Sequence, residues 1–429
     1  MKKMKILWVC FFSNATVRAH MDNRIGLVEK FIRKIIKKPY QCFDLAQWNT
    51  NALKEFEKFT DEVELHVISP SETMRNRESV FVEKDIHYYF FRDEDSGIKK
   101  IFGKIFGEKT YRKNRKYIAE KIKEIKPDLV HIIGAENPQY SLAALDIPNT
   151  IPVFVQLQTL MIDPEFKKNY PISSDLYSYR SGIEKRILEK VDYLGTPEKK
   201  FVSVIKDKAN RKGPILSTSL AVAESVNFKS SEKEFDFVYF ALDISKAVDY
   251  AIEAFAIAFK KRPSISLDVV GDFSVALKKQ LDDRIAELGL QNRIKFEGKL
   301  ATHDDVIEQI RKSRFALLPL KVDLISGTIR EAMANGLPVV STITPETPNL
   351  NKKRVSILLS PAGDFAAMAD NMLKLLDDDK YAEEIRQNAG VSISEKVGNE
   401  QHVRKWIDAY RACIDNFRNG TPIPQVLLH

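Results

Sequence analysis

Apolar runs of strand length alternate with longer segments of helical period along the whole chain. Residues 5–12 predict a first strand, and 21–37 an amphipathic helix with a basic outer face. Strands are expected at 63–69, 87–91, 128–133 and 152–158, with helices at 111–125 and 180–190, the latter leading to Tyr193-Leu-Gly195. The alternation then restarts. Strands are predicted at 235–241, 266–270, 294–297, 315–318, 339–342 and 355–359. Helices are predicted between them at 249–261, 275–288, 303–312 and 328–334, and after them at 364–377. Strands separated by helices of this length imply parallel sheets covered on both faces, so the fold class is α/β with two doubly wound halves.

Length agrees, since 429 residues exceed one ordinary core. The expected division is a first domain over 1–218, a second over 219–400, and a closing helix over 401–429 that crosses back to the first domain and ends in a loose tail. The connection is expected within 211–219, which holds Gly213 and Pro214. A further helix is expected at 380–387. Ligands of open α/β sheets sit beyond the carboxyl ends of the strands, so the loops that follow strands are where chemistry is sought.

Composition narrows the class. No run approaches the roughly 18 apolar residues of a membrane span. The start, MKKMKILWVCFF, reads as a buried first strand rather than a leader, because Asn14, Arg18 and His20 follow closely. Cys10, Cys42 and Cys413 lack paired or metal-type spacing, which fits a reducing compartment and leads to the expectation of no zinc site and no metal ligands. Net charge is +8, and residues 99–126 carry eleven Lys or Arg against three Glu. Two readings fit that segment: a surface that meets an anionic membrane, and a solvated basic helix face. Nucleic acid is not expected, for want of a motif or an aromatic platform.

The most specific stretch is Asp323-Leu-Ile-Ser-Gly-Thr-Ile-Arg-Glu331, followed by Ala-Met-Ala-Asn-Gly336-Leu-Pro338-Val-Val340. Two carboxylates stand eight residues apart around Ser326-Gly327-Thr328, at an expected helix start. Such a start gathers unpaired N–H groups and partial positive charge, and so suits a phosphate. A carboxylate one turn in can accept ribose hydroxyls. A structural reading competes, because Thr328-x-x-Glu331 is also a capping-box pattern.

This stretch resembles the E-x7-E signature of GT-B glycosyltransferases related to family four, with Asp323 in the first position. The resemblance covers roughly residues 235–345, and the first domain in architecture only. It implies two Rossmann-like domains facing across a cleft. It implies that Asp323 contacts donor-sugar hydroxyls, that Ser326, Gly327 and Thr328 meet sugar and phosphate, and that Glu331 holds the ribose. In the loop after residue 240, Lys246 matches a diphosphate-binding Lys, while Ala241 stands where the family carries Arg; Arg330 is a candidate substitute. Gly271 and Gly298 match two turns that approach the nucleotide. Lys246, Asp323 and Glu331 are thereby the expected catalytic set.

On the acceptor side, Ser13-Asn14 replaces a family Gly-Gly turn, and Gln158 replaces a family His. Gln cannot titrate but can orient a hydroxyl. His131, Glu136 and Asn137 are acceptor candidates, with His131 equally readable as a core histidine. Asp163, Tyr177 and Arg180 are placed in a loop that shapes acceptor specificity. Asp93-Glu-Asp95 and Asp377-Asp-Asp379 mimic D-x-D metal sites but read as solvated charge.

The resemblance implies a retaining, metal-independent transferase without a cofactor. It would move sugar from a nucleoside diphosphate donor to a hydroxyl of a growing, lipid-linked glycan in surface polysaccharide biosynthesis. The expected place is the cytoplasm, peripheral to the inner leaflet. A nucleotide-sugar epimerase and a non-catalytic nucleotide-sugar-binding protein are the alternatives.

Overall fold

A computed structural model describes residues 3–23, 27–35, 43–94, 111–169, 173–197, 199–222, 225–229, 231–241, 247–271, 273–321, 327–344, 347–396 and 398–429. The chain divides into two compact units. The first comprises Met1–Lys168, Ile172–Val222 and Asn399–His429; the second comprises Asn169–Pro171 and Ala223–Gly398.

The first unit holds an eight-stranded sheet. Its strands are β1 (Met4–Val9), β2 (Val63–Ser71), β3 (Glu78–Glu83), β4 (Ile86–Arg92), β5 (Leu129–Ile133), β6 (Val153–Gln156), β7 (Tyr193–Thr196) and β8 (Ile215–Ser217). Their order is β3-β4-β2-β1-β5-β6-β7-β8. Every neighbouring pair is parallel except β3 with β4. Ile6, Leu7, Trp8 and Val9 are fully buried, as expected of a central parallel strand covered on both faces. The chain reverses direction of travel across the sheet between β1 and β5, so the loops after those strands line its switch point.

Two strands escape the pattern reading. β3 alternates exposed and half-buried positions and reaches β4 through Lys84 and Asp85, both at positive φ, without the Asn-Gly or Asp-Gly signal of such turns. β8 lies inside residues 211–219, which were expected to be the connection between domains. Its edge explains a further correction. The tail is not loose at its end: Leu428 bridges Leu216, and His429 bonds to Thr196 O at 2.7 Å, so the tail covers a strand edge that water would otherwise meet.

The helix Asn399–Asn419 completes this unit's core. Trp406 and Tyr410 enter a cluster of aromatic rings with Trp8, Phe154 and His131. The helix expected at 21–37 is described over Leu27–Ile35. Residues 95–110, which include part of the basic segment, lie outside the described residues, and Arg112–Ile125 is a helix as expected.

The second unit holds six parallel strands: β9 (Phe235–Phe240), β10 (Leu267–Val270), β11 (Ile294–Gly298), β12 (Ser313–Leu318), β13 (Val339–Thr342) and β14 (Leu358–Ser360). The order β11-β10-β9-β12-β13-β14 is doubly wound, with its switch point between β9 and β12. Helix starts are set by short polar side chains, as sequence favours: Ser274, Thr302, Asp364 and Asp378 each accept an N–H of the first turn. Asp378 thus caps a helix, and Asp377 and Asp379 pair with Arg262 and Arg314. Asp93 departs from the solvated-charge expectation: it is buried and accepts from Asn114 at 2.8 Å, while Asp95 lies outside the described residues. No helix among the described residues is long and apolar enough to cross a membrane.

Candidate active site

Beside the switch point of the second unit, the ends of β9, β10 and β11 are laced together. Ala241 donates its N–H to Val270 O, and Gly271 donates to Gly298 O at 2.9 Å. A Cβ on Gly271 would lie 2.2 Å from Ala241 O, so only glycine permits this approach. Gly298 has φ +74°, a left-handed turn that glycine takes without strain. Lys321 pairs with Asp249 at 2.7 Å, joining the chain after β12 to the first turn of the helix after β9. Lys246, Asp323 and Ser326 belong to the segments that follow β9 and β12, and they lie outside the described residues.

The helix Gly327–Ala334 begins just after β12. Ile329, Ala332, Met333 and Ala334 are its buried stripe, and it stops at Gly336, whose φ is +77°. Leu337 donates back to Ala332 O at 3.0 Å, closing that end. At the other end, the N–H groups of Gly327 and its neighbours lack intrahelical acceptors, as in any first turn. Thr328 Oγ1 is buried with no hydrogen-bond partner among the described residues. Arg330 is half-buried two positions on.

Glu331 is 9% exposed, one turn into this helix. Thr328 sits inside the helix rather than at its cap, so the capping-box geometry does not arise. Instead, Glu331 Oε1 lies 2.7 Å from His303 Nε2. His303 opens the helix His303–Arg311, whose start is locked by a reciprocal Thr302–Asp305 capping box. Sequence reasoning missed His303. Its signal was its place, five residues past Gly298 and at a helix start, which no motif marks.

In the first unit, a second polar cluster gathers at the carboxyl ends of β5 and β6. Gly134, at φ +98°, leaves room where a Cβ would strike Tyr140 Oη at 2.6 Å. Arg180 donates to Glu136 O at 2.7 Å and to Asn137 Oδ1 at 2.8 Å. Asn137 donates to Glu136 Oε1 at 3.0 Å, and Gln158 Nε2 donates to Ile133 O at 2.8 Å. The structure therefore brings Glu136, Asn137 and Gln158 together. Tyr177 lies within the helix Ser174–Lys190, not in the loop where it was expected, and Arg180, read both as a loop residue and as the start of a helix over 180–190, is in that helix.

Two buried carboxyls stand out here. Burial raises the Glu136 carboxyl above its ordinary value, opposed in part by Arg180. Burial also pushes Glu184 up to about 8, against the pull of the Met161 and Ile162 N–H groups it accepts.

His131 does not join this cluster. It is fully buried in β5, its Nδ1 is 2.6 Å from Tyr410 Oη, and burial holds its pKa well below the usual imidazole range. Its expected acceptor role is corrected to a core role, because the aromatic packing of the Asn399–Asn419 helix seals it from ligands. Asn14, in place of the family glycine turn, caps the helix Ala15–Ala19 by accepting Val17 N–H at 2.9 Å.

Two Rossmann-like units, the second with an amide-rich helix start and a buried glutamate at its switch point, define the GT-B glycosyltransferase fold. Residues 223–391, a stretch within the second unit, match the family model described as Glycosyl transferases group 1. This agrees with the resemblance carried by Asp323 to Val340. Among curated proteins, the chain is 26% identical over 136 residues to N-acetyl-alpha-D-glucosaminyl L-malate synthase of Bacillus anthracis (32% of this chain, 35% of that one). It is 26% identical over 172 residues to a lipopolysaccharide core biosynthesis mannosyltransferase of Rhizobium meliloti strain 1021 (39% of this chain, 48% of that one). These matches span only about a third to a half of the curated relatives' lengths. Among solved structures, the sucrose-phosphate synthase of Thermosynechococcus elongatus matches with TM-score 0.66 at 15% identity, covering 96% of this chain and 98% of that one.

Proposed function

We propose that this chain is a retaining glycosyltransferase that moves a sugar from a nucleoside diphosphate donor to a hydroxyl of a growing, lipid-linked glycan in surface polysaccharide biosynthesis. The observation that carries the reading is the Gly327–Ala334 helix after β12, with Glu331 buried one turn in. In this account the first-turn N–H groups face the donor diphosphate. Glu331 accepts a ribose hydroxyl while His303 fixes the carboxylate through Oε1. Lys246 adds positive charge at the leaving phosphate, and Asp323 accepts from sugar hydroxyls. Ala241 gives the diphosphate no cation, and Arg330 on the same helix is the proposed substitute.

Glu136, Asn137 and Gln158 would position the acceptor. The acceptor oxygen bonds to the anomeric carbon as the bond from that carbon to the phosphate oxygen breaks. The acceptor proton passes to the departing phosphate on the same face, so no side-chain base is needed and Gln158 suffices to orient the hydroxyl. Stabilisation of the leaving charge and positioning supply the rate. No metal or cofactor takes part in this scheme.

The lipid-linked acceptor calls for a membrane surface at the inner leaflet. The helix Leu27–Ile35 supports it: Val28, Phe31 and Ile35 are each over 60% exposed, and Lys30 and Lys34 are exposed on the same helix. Exposed apolar side chains interleaved with lysines suit an anionic interface.

The test is incubation of the purified chain with UDP-, GDP- and ADP-sugars and a lipid-linked acceptor fraction, with products read by NMR. A new glycosidic bond keeping the donor's anomeric configuration is expected. Inverted product would refute retention. An isomerised sugar released without acceptor would assign an epimerase instead, and tight nucleotide binding without turnover a non-catalytic protein.

A further inference from the structure

We propose that Glu64, His66 and His87 form a zinc site on the first unit, at the amino ends of β2 and β4, the opposite end of the sheet from the loops discussed above. His66 and His87 are direct cross-strand partners in the parallel β2–β4 pair. Glu64 precedes His66 by two positions, so all three side chains stand on one face. Their candidate ligand atoms lie within 4.8 Å of one another. The two imidazole rings stack at 4.6 Å with 14° between their planes, and His66 Nε2 is 2.9 Å from Glu64 Oε1.

Two nitrogens and one carboxylate oxygen suit zinc, with water as the fourth ligand of a tetrahedron. Zinc–ligand bonds of about 2.0–2.1 Å require ligand atoms about 3.3 Å apart. Glu64 and His87, both half-buried, would close that gap by side-chain rotation. His66 is the fixed member, 5% exposed. Its Nδ1 is 3.1 Å from Tyr89 Oη, on the same face of β4. That contact sets the ring so that Nε2 points to the site, the usual outer support of a metal-bound histidine. On binding zinc, His66 takes the tautomer with its proton on Nδ1, which donates to Tyr89, and Nε2 gives its lone pair to the metal.

Lys5 competes, since its ammonium lies 3.2 Å from Glu64 Oε1. It is about a third exposed, and surface ion pairs of this kind contribute little, so it yields to a divalent ion by turning to solvent. A bound zinc would cross-link β2 to β4, the strand that carries the antiparallel edge. The role is structural, and the transfer chemistry does not depend on it. Cysteine spacing had given no reason to expect zinc, because the three ligands come from alternating strand positions on two strands.

The experiment uses the full chain without a histidine tag, stripped with EDTA. Zinc is titrated by calorimetry, and cobalt by its visible absorption. One zinc per chain is expected, with the intense cobalt spectrum of a tetrahedral site. His87→Ala and Glu64→Gln should each abolish both signals, and Tyr89→Phe should weaken binding by about 10–100-fold. Zinc should raise the melting temperature of the wild type and leave that of His87→Ala unchanged. Glu64→Gln, which alters no volume, decides the matter if His87→Ala fails to fold by circular dichroism. Absence of saturable zinc binding, or equal affinity in wild type and Glu64→Gln, would overturn the proposal.

Discussion

The Glu331 carboxylate is held by a histidine that belongs to a different strand–helix unit, and this pair is where single substitutions speak most clearly. A hydrogen bond to a charged group contributes about 1.5–3 kcal/mol. His303→Ala frees Glu331 Oε1, and calorimetry should show nucleotide affinity falling by about tenfold. Gly271→Ala places a methyl against Ala241 O. Overpacking of this kind costs about 1–3 kcal/mol, and denaturant titration should show that loss. Glu184 carries a pH signature. Its pKa rises from 4.5 to about 8 on folding, so between those values the native state holds a proton that the unfolded chain has released. Stability from this group is therefore present at low pH and falls as pH rises toward 8, by up to about 1.4 kcal/mol per unit. Urea midpoints measured from pH 5 to 8 should show the decline in wild type and a flatter profile in Glu184→Gln.

At the scale of elements, the helix Asn399–Asn419 shows how a role can be misread from one strand. Tyr410 Oη serves both Trp8 Nε1 at 3.0 Å and His131 Nδ1 at 2.6 Å. Tyr410→Phe strands two buried polar atoms, at about 1–3 kcal/mol each. Thermal unfolding should register that loss while nucleotide affinity stays at the wild-type value. The parallel strands were legible because burial on both faces demands near-continuous apolar runs, as in residues 6–9 and 315–318. β3 was not, since it is exposed on one side and its Lys84-Asp85 turn lacks glycine. Gly271 and Gly298 were legible because a close backbone approach at the first and a left-handed φ at the second both favour glycine. His303 was not, and His131 stayed open between an acceptor and a core reading, because both are decided by partners distant in sequence: Glu331 for one, Tyr410 for the other. Adjacent residues give no sign of such pairings.

Taken as a whole, the chain carries a net charge of +8 and an exposed helix with apolar and basic positions together. If that helix meets an inner leaflet, sedimentation with anionic vesicles should retain the protein at low salt and release it as salt rises, because the charge term is screened over about 10 Å at 0.1 M. Phe31→Ser should reduce the retained fraction, and neutral vesicles should retain little. The central claim is narrower: the start of the Gly327–Ala334 helix, with Glu331, binds the nucleoside diphosphate of the donor. Calorimetric titration of wild type and Glu331→Ala with the nucleotide the chain binds best tests it most directly. The account predicts an affinity loss of at least about tenfold, the scale of a lost charged hydrogen bond, with the fold intact by circular dichroism. Equal affinity in a folded Glu331→Ala protein would contradict it.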